Sequence, residues 1–238
     1  MELEGKTAVI TGGTGHLGRA VTARFLREGA GVLVSWRSEE EWRELEASID
    51  DEFSDRLVGL RTDVTDEEQV EGLMRTAVDR FGGLDALLNL VGGFAFGRNV
   101  WETDLATWDR MVDLNLKSAF LCSKHALPVM RKAGRGAIVY VSSKACEDLQ
   151  PGAAAYATSK GALITLMRAL REEVKDTGIR VNTIMPGIID TPVTRRLMPK
   201  ADTGKWVSPD EVADALVALC SDGCGAASGS VIRLFGGL

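Results

Sequence analysis

Hydrophobic and polar positions along the chain switch between a period of two and a period near 3.6. Residues 7–10, Thr-Ala-Val-Ile, form a short apolar, β-rich run, and from Leu17 onward the apolar positions Val21, Phe25 and Leu26 recur at helical spacing. Gly29 closes that helix and 31–35 is a second apolar run, so a strand, a glycine turn, a helix and a strand follow one another as a βαβ unit. The alternation continues with a charged helix over 39–49, a strand over 57–62, and a helix over 67–81 capped by Thr65 or Asp66 and ended by Gly82-Gly83. Residues 86–90 are almost wholly apolar, as expected of a strand covered on both faces. A long helix over 105–130, a strand over 136–141, a second long helix over 156–174, a strand over 179–184, a helix over 209–220 and a strand over 230–234 complete the chain. Seven strands alternating with helices, without linker or internal repeat, predict one doubly wound, Rossmann-like α/β domain over 1–238 with a seven-stranded parallel sheet.

Composition narrows the function classes. The 238 residues are 45% hydrophobic and 26% charged, which excludes a disordered chain. Lys and Arg number 28 against 34 Asp and Glu, a net charge of −6, which argues against nucleic acid or an anionic membrane as the main partner. No apolar run approaches the roughly 18 residues of a membrane span, and the acidic opening 1–6 is unlike a signal peptide. A soluble, cytoplasmic protein is expected. Cys122, Cys146, Cys220 and Cys224 fit no disulfide framework, and with only His16 and His125 available a zinc site lacks ligands, so four free thiols and no metal are expected.

Two constellations carry chemistry. Gly12, Gly15 and Gly18 follow the first strand and open the first helix, where glycines let the backbone approach a pyrophosphate and the helix N–H groups face its charge. Tyr156 and Lys160 stand at i and i+4, on one helical face. A phenol with its usual pKa of about 10 exchanges protons poorly at neutral pH, and a nearby ammonium favours its ionised form. The pair opens a helix shortly after a strand ending at Val141-Ser142-Ser143, on the side of a parallel sheet where ligands bind.

At this point the whole chain resembles the short-chain dehydrogenase/reductases. The resemblance rests on TGGTGHLG at 11–18, Asp63-Val64, Asn89 with Gly92, Asn115, Ser142-Ser143, Tyr156 and Lys160, Pro186-Gly187 with Thr191, and the glycine-rich end SGSVIRLFGG. It implies an oxidoreductase that interconverts a carbonyl and an alcohol with a nicotinamide cofactor. Tyr156 would be the acid/base, Lys160 would hold the nicotinamide ribose and lower the phenol's pKa, and Ser143, with Ser142 as fallback, would position the carbonyl. Asn115 would anchor a water connecting Lys160 to solvent. The resemblance further implies cofactor contacts from Gly12, Thr14, Gly15, His16, Leu17 and Gly18, adenine contacts from Asp63 and Val64, ribose contacts from Asn89 and Gly92, and carboxamide contacts from the stretch Pro186, Gly187, Ile188 and Thr191. Members usually pair through the two long helices as homotetramers or homodimers.

The chain departs from the family pattern in places. Compact members have TGxxxGxG, whereas here the spacing is TGxxGxxG and His16 replaces a usual glycine; the usual NNAG is Asn89-Leu90-Val91-Gly92. Residues 91–94 and 190–199 resemble dihydropteridine reductases, which makes reduction of a quinonoid pterin a second reading, although Ser143 and Arg37 depart from that group. A nucleotide-binding regulatory protein without turnover is a third. His125 reads as a packed or surface residue. Phe94, Phe96, Trp101 and Trp108 are consistent with either a pocket lining or core and interface packing, and Arg195, Arg196, Lys200 and Lys205 with either an attraction for an acidic substrate or a solvated loop. The short stretch 192–208 leaves room for only a small lid, hence a compact carbonyl or alcohol substrate.

Cofactor preference is read at the end of the second strand. Trp36-Arg37-Ser38 follows Ser35, and no carboxylate occurs before Glu39 to bind a ribose 2′-hydroxyl. Arg37, with Ser38 beside it, is suited to a 2′-phosphate, so NADP(H) is expected to be preferred over NAD(H).

Overall fold

The computed structural model describes residues 1–237. Seven parallel strands, β1 (Thr7–Thr11), β2 (Gly31–Trp36), β3 (Leu57–Arg61), β4 (Ala86–Asn89), β5 (Gly136–Val141), β6 (Ile179–Pro186) and β7 (Val231–Leu234), form one sheet in the order β3-β2-β1-β4-β5-β6-β7. β1 pairs with β2 on one side, Ile10 opposite Val34, and with β4 on the other, Ile10 opposite Leu88. The strand order therefore reverses between β1 and β4, which opens a crevice beyond their carboxyl ends.

Alternation of side chains along each strand builds two cores. Ile10, Val34, Leu88, Val139 and Ile184 point to the side covered by helices α1 (His16–Arg27), α2 (Glu39–Ser48) and α8 (Pro209–Cys220), meeting Val21, Phe25, Leu45, Val212 and Leu216. Val9, Leu33, Leu87, Ile138 and Val181 point the other way, onto α3 (Glu67–Phe81), α5 (Ser118–Ala133) and α6 (Ala154–Val174), meeting Leu73, Ala126, Leu163 and Met167. Asp66, not Thr65, caps α3 through Gln69 N–H, and Gly82 ends it in a left-handed conformation at φ 81°.

The predicted elements shift at several ends. The helix expected over 105–130 is α4 (Leu105–Val112), a π-helical turn over Asp113–Lys117, and α5, which runs on to Ala133. α6 starts two residues earlier than its hydrophobic pattern suggested, and β6 continues through Pro186, carrying that proline onto the strand beside β7. Trp36 joins β2 by pairing with Arg61 of β3. The stretch 192–208 holds α7 (Pro192–Leu197) and a 3-10 turn, Thr203–Lys205, and returns to the sheet end where Val207 N–H donates to Ile188 O at 2.9 Å. Among the described residues no helix is long and apolar enough to cross a membrane.

The first βα turn is set by contact distances. Gly12 takes φ 68°, and a Cβ on Gly18 would lie 2.2 Å from the Gly12 carbonyl oxygen, so α1 packs on the turn at a distance only glycine allows. At Gly15 the nearest atom to such a Cβ is 3.5 Å away. Gly18→Ala should therefore lose about 1–3 kcal/mol as backbone is forced apart, lowering Tm by about 2–4 °C for each kcal/mol. Gly15→Ala should lose less than about 1 kcal/mol, the helix-start preference alone; thermal melts that rank the two the other way would refute the packing account.

Candidate active site

The segments that leave β1, β4, β5 and β6 at their carboxyl ends carry the residues singled out above. α1 begins with Gly15 at its N-cap, without a side-chain cap and without an acidic residue in its first turn, so its leading N–H groups and dipole face the crevice. His16 is the exposed first residue of α1, and the described residues contain no non-glycine at positive φ, so its replacement of glycine leaves ordinary backbone geometry. Leu17 is partly buried against the α1-side core. The Thr14 hydroxyl donates to Glu41 Oε2 at 3.1 Å, which ties the loop to α2.

The end of the crevice beside β4 and β5 is assembled around Lys160. Its ammonium is buried, and Nζ donates to the Val141 carbonyl at 2.8 Å. A Cβ on Gly92 would lie 2.8 Å from Lys160 Nζ and 2.8 Å from Asn115 Oδ1, so glycine at 92 is what admits both groups. Asn115, buried within the π turn, accepts from Gly93 N–H at 2.8 Å and donates to Gly93 O at 3.1 Å and to Ser159 Oγ at 2.9 Å. The π turn adds a residue to the helix, and at such a bulge a side chain is aimed out of the regular row.

Tyr156 is half-buried beside Ser143. The expected lowering of its pKa by Lys160 is reversed in this arrangement. Burial raises the phenol, the Ser143 hydroxyl draws it partly back down, and the Cys146 thiol adds to the rise. The ammonium is spent on a carbonyl oxygen, and its own burial lowers Lys160 from 10.5 to about 8. Ser143 Oγ also accepts from Ala145 N–H at 3.2 Å. Ser142 points elsewhere, its hydroxyl donating to the Lys160 carbonyl at 2.8 Å in the interior, which removes it as the fallback.

The end of the crevice beside β2 and β3 is open. A pocket of about 400 Å³ is lined by Arg37, Arg61, Thr62, Asp63 and Gln69. Arg37 Nη1 lies 3.7 Å from Asp63 Oδ2. Asp63 is held by Thr65, whose N–H and hydroxyl reach Oδ1 at 2.9 and 2.7 Å and lower its pKa below the usual carboxylate value. Val64 turns its side chain into the core, which leaves only its backbone for a ligand. Ser38 is occupied as the N-cap of α2, accepting from Glu41 N–H at 3.3 Å. The spacing Ser38-Glu39-Glu40-Glu41 is itself a sequence signature of such a cap. Arg61 was not anticipated; its pairing with Trp36 across β2 and β3 brings it to this pocket.

Beyond β6, Gly187 N–H donates to Leu234 O at 2.8 Å, and Ile188 is held by Val207. Thr191 caps α7 through Thr194 N–H at 3.2 Å. Arg195 is held by both carboxylate oxygens of Asp190, at 2.6 and 2.7 Å. His125 sits with Lys124 against Glu67, away from these groups. The four cysteines are free, and the described residues contain no cluster able to hold a metal ion.

These residues fit a dinucleotide. The uncapped start of α1 suits a pyrophosphate, Asn89 is buried at the end of β4 with neither amide atom hydrogen-bonded, and Gly92 keeps space beside Lys160 and Asn115.

Comparison with known proteins follows the same lines. The short chain dehydrogenase family profile matches residues 6–202. A cis-4-hydroxycyclohexanecarboxylate dehydrogenase of Sinomonas cyclohexanicum is 34% identical over 240 residues, covering 98% of this chain and 96% of the relative. A 3-oxoacyl-(acyl-carrier-protein) reductase of Thermotoga maritima is 33% identical over 248 residues, covering 100% of this chain and 99% of that protein. The crystal structure of a 3-ketoacyl-(acyl-carrier-protein) reductase from Brucella melitensis complexed with NADH superposes with a TM-score of 0.90 at 26% identity, covering 99% of this chain and 98% of the other.

The buried ammonium has a measurable consequence. Because the folded pKa of Lys160 lies below its unfolded value, the unfolded chain binds more protons between about pH 8 and 10.5, and wild-type stability gains from this group as pH rises through that window. Below pH 8 the full cost remains, about 3 kcal/mol at roughly 1.4 kcal/mol per unit. Lys160→Met forfeits the bond to Val141, about 1 kcal/mol, so it should be more stable than wild type by about 2 kcal/mol at pH 7 without added cofactor. Urea unfolding at stepped pH should show that advantage shrinking towards pH 10; a difference independent of pH would show that the ammonium titrates normally.

Proposed function

The chain belongs to the short-chain dehydrogenase family, and on that premise we propose that it is an NADP(H)-dependent oxidoreductase interconverting a compact carbonyl compound and its alcohol, with Tyr156 as the acid/base. The observation that carries this reading is that two pairs stand at the carboxyl ends of β4 and β5: Lys160 and Asn115 around Gly92, which leaves them room, and Tyr156 hydrogen-bonded to Ser143. When bound, the nicotinamide supplies or takes up the hydride.

In the reducing direction the Ser143 hydroxyl holds the carbonyl oxygen and the Tyr156 phenol gives it a proton, so that hydride and proton together yield the alcohol. Lys160, with a pKa near 8 and its Nζ bonded to the Val141 carbonyl, can donate or accept a proton close to neutral pH, and in this reading it holds the ribose. Asn115 fixes Gly93 and Ser159, which keeps the loop beyond β4 and helix α6 in a constant relation around the lysine. Gly12, Thr14, Gly15, His16, Leu17 and Gly18 would hold the pyrophosphate, Asn89 and Gly92 the ribose, and Pro186, Gly187, Ile188 and Thr191 the carboxamide. Tyr156→Phe deletes the transferable proton and keeps the ring. It should lower kcat by about 100-fold or more and leave cofactor affinity, read by fluorescence titration, within a few-fold. Retention of more than a tenth of kcat would assign the proton to another group.

Arg37 supports the choice of NADP(H). Its side chain is 67% exposed at the rim of the adenosine pocket, and its one carboxylate neighbour, Asp63, is already engaged by Thr65. A charge-assisted contact to a 2′-phosphate contributes about 1.5–3 kcal/mol, or roughly 10- to 150-fold. NADP(H) should exceed NAD(H) at least tenfold in kcat/KM, and Arg37→Ala should erase most of that ratio. Equal use of both by the wild type would overturn the preference, and the Brucella relative solved with NADH makes the comparison a necessary one.

A further inference from the structure

Two phenyl rings stand in the open next to the proposed acid/base. Phe94 and Phe96 are 55% and 54% exposed, and their rings lie parallel, 6.2 Å between centroids with 7° between planes. The Phe94 ring also meets the Tyr156 ring edge to face, 5.0 Å between centroids at 77°. The loop that carries them is tied at both ends. Gly93 is bonded through its N–H and its carbonyl to the Asn115 amide, and it packs so closely that a Cβ would lie 2.8 Å from Met111 Cε. Gly97 N–H donates to the Gly152 carbonyl at 3.0 Å. Phe94 is thus held against the Tyr156 ring with Phe96 parallel to it, both forgoing the burial that large apolar groups ordinarily gain on folding.

We propose that Phe94 is a specificity-determining residue whose exposed face, backed by Phe96, packs against an apolar six-membered ring that contains or adjoins the reacting carbon of the substrate. The inference rests on the reading of Tyr156 as acid/base, since only then does a carbonyl delivered to the phenol bring its substituents onto Phe94. Charge recognition is a weaker alternative, since Arg98, which follows this loop, is paired with Asp104, Arg195 with Asp190 and Arg233 with Glu147. A closed ring also loses few torsions on docking, whereas a flexible chain of equal carbon number must freeze several.

The test is steady-state reduction of cyclohexanone and 4-methylcyclohexanone against 2-hexanone and 2-heptanone, with NADPH and with NADH, by wild type and by Phe94→Ala, Phe94→Leu and Phe94→Tyr. The wild type should favour the cyclic ketones. Phe94→Ala and Phe94→Leu should lower the cyclic-to-linear ratio of kcat/KM by about three- to tenfold, through KM for the cyclic ketones with kcat within about twofold, and Phe94→Tyr should keep the ratio. A wild type without preference for the rings, or a ratio unmoved in Phe94→Ala, would overturn the role of Phe94 while leaving the oxidoreductase reading in place. Absence of turnover on all four ketones with either cofactor would overturn that reading and this inference with it.

Discussion

A buried ammonium without a carboxylate to neutralise it is the constraint on which the carboxyl edge of the sheet depends. Lys160 reaches from α6 to the last carbonyl of β5, and Ser142, the next residue, returns a bond from its hydroxyl to the Lys160 carbonyl. The first residues of α6 are thereby fastened to the end of β5 at two points. Gly92 must be glycine because any Cβ there would displace the ammonium, and Asn115 must be aimed inward because its amide closes the other side of the same space. Enclosing a charge in this way disfavours its charged form, hence the lysine's descent to about 8. The fold tolerates the cost because two continuous apolar cores, one on each face of the sheet, lie behind the site.

The architecture was legible because a parallel sheet covered on both faces imposes a simple pattern. Apolar runs such as Ala86-Leu87-Leu88 have no polar face, and helices such as α3 carry both a cap, Asp66, and a stop, Gly82. The π turn was not legible. Asp113–Lys117 keeps the apolar spacing of a continuous helix, and the extra residue is revealed only by the slipped hydrogen bonds that let Asn115 reach Gly93 and Ser159. The extension of β6 through Pro186 was hidden for a related reason: a proline lacks an N–H to donate, yet the end of a strand can accommodate one.

At the site, residue types indicated which groups lie near one another more readily than which bonds they make. Ser38, expected beside Arg37 at the cofactor, and Thr191, a contact the resemblance implies, spend their hydroxyls on helix starts, as short polar side chains before a helix commonly do. Val64 faces the core because the residue after Asp63 belongs to the layer packed against α3. The direction of the Tyr156 shift was missed because the i, i+4 spacing fixes only which face two side chains share. Whether the ammonium turns to the phenol or to a carbonyl is decided by what else is buried there, and here it bonds Val141 O.

The two ends of the crevice consequently follow opposite electrostatic rules. At the end beside β2 and β3 Arg37 and Asp63 lie 3.7 Å apart and largely in water, where their interaction is screened and a single substitution disturbs little else. At the end beside β4 and β5 Lys160, Asn115 and Gly92 are mutually enclosed, so a change in one leaves a void, a clash or an unpaired polar group against the others. The lining of the first end can therefore drift by surface mutation without unsettling the fold. The arrangement around the phenol has no such freedom, and variation near it is confined to groups that touch the site from outside its bonded network, of which the exposed ring of Phe94 is the clearest.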